Sequence, residues 1–313
     1  MQATWPTVAA SLAGLLLCVL LGAAWVLAYW STHPLRVGVP DRPDQDLGAY
    51  EDIAFTSRDG LRLSGWLFPA RGGRATLILC HGHQFNRTQA VPIMRALRDL
   101  PCHFLLFDFR AAGRSQGRVS SIGADERLDI VAAVDWLQTR EATAGLPIGV
   151  FGYSMGGSAA ILAASEDPRI GAVATQGAYA SLDRAIAARG RFFLGFLGPL
   201  LTTPAERMGR RWLPTDPASV SPARAIGRIA PRPVFIGHGR RDPFVFTEDA
   251  DILYRSAGEP KELHILQGSW HISVGAADRP AYHKSLRRFF SQALHLESRR
   301  LRTTTGSCRT GTT

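Results

Sequence analysis

Cysteine is scarce in this 313-residue chain: there are four, at positions 18, 80, 102 and 308, with no paired spacing. That scarcity excludes a disulfide-framed secreted scaffold. No Cys/His cluster has metal-ligand spacing, there is no Walker-type or dinucleotide-binding glycine pattern, and no internal repeat is found. Neither a metal nor a cofactor is expected. The net charge of +10 comes without aromatic–basic interleaving or a recognition motif, so nucleic acid is not an expected partner. One further absence is local. From Val8 to Trp30 there is no charged residue; Leu, Ala and Val dominate, and Trp5, Trp25, Tyr29 and Trp30 crowd the ends. That run is long enough to cross a bilayer. Val26-Leu27-Ala28 could serve a signal peptidase, but the first seven residues hold no Lys or Arg, which a signal peptide normally carries. Residues 1–33 are therefore expected to be a retained single-pass anchor whose partner is the lipid bilayer. Arg36 and Arg42 come after the run and no basic residue precedes it, which places the remaining chain on the cytoplasmic side.

Beyond the anchor, residues 45–297 or thereabouts have the composition of one large domain, in a chain that is 46% hydrophobic. Tyr50–Ser57 and Leu61–Phe68 alternate apolar and polar residues around Ser57-Arg58-Asp59-Gly60, a hairpin signature. Apolar strand patterns then alternate with helical ones at Thr88–Asp99, Asp125–Thr139, Met155–Ser165, Glu248–Ala257 and Arg279–Leu296. Leu128, Val131, Val134 and Leu137 give the second of these helices a core face. This order predicts an α/β fold with a mixed, mostly parallel central sheet covered by helices on both faces. A segment of about 178–227 interrupts the alternation. Residues 298–313 hold four arginines and no acid and read as a disordered basic tail.

The most telling stretch is Pro147–Gly157, P-I-G-V-F-G-Y-S-M-G-G. A β-branched run meets a Gly-Tyr-Ser-Met-Gly turn and then a small-residue helix, the context of a nucleophile elbow with Ser154 at its tip. A second G-x-S-x-G, Gly113–Gly117, leads into polar and glycine residues, so Ser115 reads as a loop residue. Serine needs a base oriented by a carboxylate. Asp242 and His271 each come just after the C-terminal end of a predicted strand, the edge where loops of an open α/β sheet converge. His238 and His264 sit within or beside strands and read as structural. Upstream, the strand Ala75–Cys80 leads into His81-Gly82-His83-Gln84. Backbone N–H groups of Met155 and of His83 or Gln84 are the candidate oxyanion donors. The His83 side chain has no part in that role, and its plainest reading is a solvent-facing loop histidine.

These motifs resemble those of α/β-hydrolase-fold serine hydrolases, in particular the serine-aminopeptidase-like and monoglyceride-lipase-like branch. The resemblance rests on H-G-H-Q at 81–84, D-F-R-A-A-G-R-S-Q-G at 108–117, G-Y-S-M-G-G at 152–157, G-R-R-D-P at 239–243 and His271. Two positions depart from the pattern: Ala111 stands where a Gly is usual, and Phe246 where a Pro is often found. The resemblance implies an α/β-hydrolase fold with a cap insertion at about 178–227, and a Ser154–His271–Asp242 triad acting on a small-molecule ester or acyl substrate. Asp108 and Arg110 are expected to brace a loop. Phe192, Phe193 and Phe196 are candidates for an acyl pocket. An amidase, peptidase or thioesterase would use the same machinery, and a non-catalytic membrane-tethered module is the alternative from another class. Oligomeric state cannot be read from the sequence.

Overall fold

The computed structural model describes residues 5–213 and 215–297. The expected basic tail, with Cys308, lies outside the described residues. Eight strands form one sheet: β1 (Glu51–Thr56), β2 (Arg62–Phe68), β3 (Ala75–Cys80), β4 (Cys102–Phe107), β5 (Ile148–Tyr153), β6 (Ile170–Gln176), β7 (Val234–Gly239) and β8 (Lys261–Leu266). Their spatial order is β1-β2-β4-β3-β5-β6-β7-β8. The pairs β1–β2 and β2–β4 are antiparallel, and all others are parallel. The β1–β2 hairpin closes where the sequence predicts, with Ser57 N–H donating to Leu61 O at 2.8 Å.

Every residue of β3, β4, β5 and β7 is buried, which explains their unbroken runs. A sheet covered on both faces has no polar side to alternate with. The helices are α1 (Trp5–Thr32), α2 (Val91–Leu97), α3 (Glu126–Gln138), α4 (Met155–Glu166), α5 (Leu182–Leu194), α6 (Gly198–Gly209), α7 (Pro222–Ala225), α8 (Thr247–Ser256) and α9 (Arg279–Ala293). One face of the sheet packs on α3, α4 and α8 through residues such as Ile130, Val134, Ile161 and Leu253. The other carries α2 and α9 through Ile93, Leu97, Leu286 and Phe290. In α3 the core face is Ile130, Val131, Val134 and Leu137, while Leu128 is only half-buried.

The chain steps from β3 outward to β4 and then returns to place β5 on the other side of β3. The loops after β3 and β5 therefore flank a topological switch point, where such sheets leave a crevice. Cys80 pairs with Gly152, Tyr153 with Gln176, and Gln176 with Gly237, so the strands end level and their loops meet.

The segment between β6 and β7 contains α5, α6 and α7. α1 docks on it: Ala24 and Ala28 pack against Leu201 and Ala205 of α6, with Leu20 and Leu194 alongside. Most of α1 otherwise carries exposed apolar side chains, among them Leu12, Leu15, Leu16 and Val19.

The loop after β4 is fixed from within. Asp108 accepts from Arg87 Nη2 at 2.7 Å and from the N–H groups of Arg87 and Arg114 at 2.8 Å each. Arg110 pairs with Asp129 at 2.7 Å. Ser115 is buried; its hydroxyl donates to Asp108 O and accepts from Ser64 N–H, a bracing role. Replacing Asp108 by Asn would leave the buried Arg87 charge without its counter-ion, which costs about 3 kcal/mol or more. Asp108→Asn should accordingly lower the urea midpoint of the purified full chain, and an unchanged midpoint would show that the pair is dispensable to the fold.

Candidate active site

Ser154 is a single residue between the last residue of β5 and the first of α4. It has φ +48° and ψ −116°, a backbone conformation that a side-chain-bearing residue adopts only under constraint. The glycines around it make the constraint possible. A Cβ on Gly152 would run into the backbone of Gly156 and Gly157, and one on Gly156 into the carbonyl of His81. Ser154 N–H donates to Gln176 O at 2.8 Å, tying the turn to β6.

The structure brings Ser154, Asp242 and His271 together, each at least nine-tenths buried. His271 Nε2 lies 2.7 Å from Ser154 Oγ, and His271 Nδ1 lies 2.6 Å from Asp242 Oδ2. The other oxygen of Asp242 accepts from the N–H groups of Phe244 and Val245, at 2.8 and 2.9 Å, so the carboxylate cannot turn. His238 sits behind it and hydrogen-bonds Val245 O at 2.9 Å; burial lowers its pKa and favours the neutral ring. Gly177, at φ +69°, makes room for His271: a Cβ there would stand 2.7 Å from His271 O and 3.2 Å from Nδ1. The sequence carries no signal for that glycine, because nothing in Gln176-Gly177-Ala178 shows what it faces.

The loop after β3 is held by His81, whose Nδ1 donates to Gly82 O at 2.7 Å while Nε2 accepts from Phe109 N–H at 3.0 Å. Gln84 adopts φ +63°. No acceptor takes the N–H of His83 or Gln84 among the described residues. The N–H of Met155, at the first position of α4, has no intrahelical acceptor. Met155, His83 and Gln84 all line the same cavity as Ser154.

That cavity measures about 440 Å³, within the usual size range of small-molecule sites. Its floor is the sheet edge, its roof is α5 and α6, and one wall is the last turns of α1, through Leu27, Ala28, Trp30 and Ser31. Phe193 lines it. Phe192 and Phe196 do not, contrary to the sequence expectation. Phe196 is 91% exposed, and Phe192 instead packs on Phe244, ring centroids 4.8 Å apart, which in turn stands edge-on to His271 at 5.6 Å. Phe193 borders the cavity although it is 65% exposed, and it too packs on Phe244, with ring centroids 5.8 Å apart.

The His83 side chain also departs from expectation. It is buried against the cavity rather than exposed, and desolvation brings its pKa down to about 3, with Arg189 and His81 adding to the effect. The ordinary value is 6.5, so between these two pH values the unfolded chain binds the proton more readily. The stability contributed by the neutral ring is complete above pH 6.5 and is lost as the pH falls towards 3. His83→Gln should flatten the fall of Tm over that interval. An unchanged slope would place the acid sensitivity in His81 and His238, whose pKa values burial also lowers.

Residues 72–222 match the serine aminopeptidase S33 family. The chain is 27% identical over 256 residues to the uncharacterized protein YfhR of Escherichia coli O157:H7, covering 78% of this chain and 82% of that one. Among solved structures it is similar to the Pyrococcus furiosus esterase Pf2001, with TM-score 0.71 and 26% identity over 84% of this chain and 98% of that one. It also shares its fold with the alpha/beta hydrolase GrgF of Penicillium sp. sh18, with TM-score 0.67 and 21% identity over 79% of this chain and all of that one. The fold is the α/β-hydrolase fold, and the chain is a serine hydrolase.

Proposed function

We propose that the chain is a membrane-anchored carboxylic ester hydrolase acting on acyl esters. The observation that carries this reading is the Ser154–His271–Asp242 array, with contacts of 2.7 and 2.6 Å, opening on an apolar cavity. Ser154 Oγ attacks the ester carbonyl as His271 Nε2 takes its proton; Asp242 holds the ring by Nδ1 and stabilises the imidazolium. Met155 N–H, with His83 or Gln84 N–H, holds the oxyanion. His271 then gives its proton to the leaving alcohol. Water, activated by the same ring, cleaves the acyl-enzyme. No step calls for a metal or cofactor.

Similarity to an esterase and the largely aliphatic and aromatic lining favour an ester with an apolar acyl chain. A peptidase that grips a free ammonium would need a carboxylate in the cavity. Glu206 is the one carboxylate among the lining residues, and burial raises its pKa, which weakens it for that task.

α1 supports the membrane reading in two ways. It runs 28 residues, about 42 Å, with exposed apolar sides. Phe193, Phe196 and Leu200 extend the apolar surface beside it. A signal peptide cut after Ala28 would carry Leu27 and Ala28 out of the cavity wall, which favours a retained helix. Arg36 and Arg42 favour the cytoplasmic side for the catalytic domain. Arg36 also pins the linker, donating to the carbonyls of Ser115 and Gly117 at 2.6 and 2.7 Å.

Fluorophosphonate labelling of the full chain, with p-nitrophenyl esters assayed beside aminoacyl anilides, tests the reading. Ser154→Ala should abolish labelling and lower ester turnover by roughly 10³-fold or more, whereas Ser115→Ala should still label. Faster turnover of anilides than of esters would move the reaction to the peptidase class. A folded chain that neither labels nor turns over would leave a non-catalytic module.

A further inference from the structure

Arg189 lies on α5 and lines the cavity that holds Ser154. The side chain is half-buried, and among the described residues it forms no ion pair and no hydrogen bond. The contrast with other half-buried arginines is sharp. Arg184, on the same helix, is held by Asp249 at 3.0 Å, and Arg127 by Glu166 at 3.1 Å.

Asp242 and Tyr179 favour the Arg189 charge from a distance, but neither hydrogen-bonds or ion-pairs with it. Asp242 is close enough to act on it, but both carboxylate oxygens are already bound, to His271 and to the N–H groups of Phe244 and Val245. Tyr179 donates its hydroxyl to Ile122 O. Glu206, on α6, faces Asp183, Arg210 and Asp216. The nearby His83 ring is neutral, and its Nε2 is a buried polar atom without a partner on the same cavity. Burial lowers the pKa of Arg189 from its ordinary value, outweighing the attraction of Asp242 and Tyr179.

An unpaired guanidinium in an apolar cavity is costly to the protein unless a ligand completes it. We propose that Arg189 is the anion-binding subsite of this cavity, and that the substrates are acyl esters carrying a phosphate or carboxylate group. The planar fork of Arg189 suits either oxyanion bidentately. The apolar lining by Leu27, Leu182, Ile186 and Leu194 takes the hydrocarbon part, so that the ligand is an anionic amphiphile. This inference rests on the ester hydrolase reading for its kinetic arm, and on binding alone for the other.

In the kinetic arm, the full-length protein in neutral detergent is given two matched pairs: decanoylglycerol phosphate against monodecanoylglycerol, and p-nitrophenyl hemiglutarate against p-nitrophenyl pentanoate. The anionic-to-neutral ratio of kcat/KM should fall roughly tenfold or more in Arg189→Gln, chiefly through KM, with partial recovery in Arg189→Lys. Whichever pair shows the larger fall tells phosphate from carboxylate. An unchanged ratio overturns the proposal. So does an equal fall for both members of each pair, which would make Arg189 a general electrostatic support for the transition state. In the binding arm, Ser154→Ala is titrated with decyl phosphate, decanoate and decanol. An anion bound roughly tenfold or more tightly than the alcohol supports the subsite even if no ester is turned over, and equal affinity for all three overturns it.

Discussion

The backbone of Ser154 is the constraint on which the site depends. A strand ends at Tyr153, a helix starts at Met155, and the residue between them must reverse the chain at φ +48°. A conformation of this kind costs on the order of 1–3 kcal/mol and persists only where neighbours over-determine it. Gly152, Gly156 and Gly157 supply that over-determination by absence, since a Cβ at any of them would meet backbone or packed neighbours of the elbow. The bond from Ser154 N–H to Gln176 O supplies it by presence. The hydroxyl is thereby fixed at the switch point of the sheet, and the His271 and Asp242 loops have a stationary target.

Around that target the protein places its buried polar groups as braces. The loop after β3 is clamped by His81 to both Gly82 and Phe109, and the loop after β4 by Asp108 to Arg87 and Arg114. Burial disfavours the charged form of His81, His83 and His238. His271 differs in its partners: a carboxylate on one nitrogen and a hydroxyl on the other. Among the described residues, this imidazole alone bridges a carboxylate and a hydroxyl.

The fold was legible because its signals are local. Hairpin alternation in Glu51–Phe68, the unbroken apolar runs of β3 and β5, and the glycines about Ser154 each arise from a few adjacent residues. The convergence of Asp242 and His271 could be read from strand ends alone. Features that escape the sequence depend on packing between distant segments. Phe192, Phe193 and Phe196 are all apolar and exposed, yet of the three only Phe193 borders the cavity. His83 looks like a loop histidine until α1 and α5 enclose it. Arg189 is one of many arginines in the sequence, and only its half-buried place on the cavity without a partner among the described residues distinguishes it.

α1 shows why this matters for function. Apolar on all sides, its sequence cannot reveal which stripe touches protein. The structure selects Ala24 and Ala28, small enough for α6 to approach, and Trp212 locks the choice by packing edge-on to Trp25, Tyr29 and His33. Successive residues on a helix point about 100° apart, so this docking also fixes Leu27, Trp30 and Ser31 against the cavity. A one-residue change in rotation would exchange them for other side chains. The docking of α1 therefore sets part of the cavity's shape beside Ser154, and the N-terminal helix belongs to the site's wall together with the helices of the insertion.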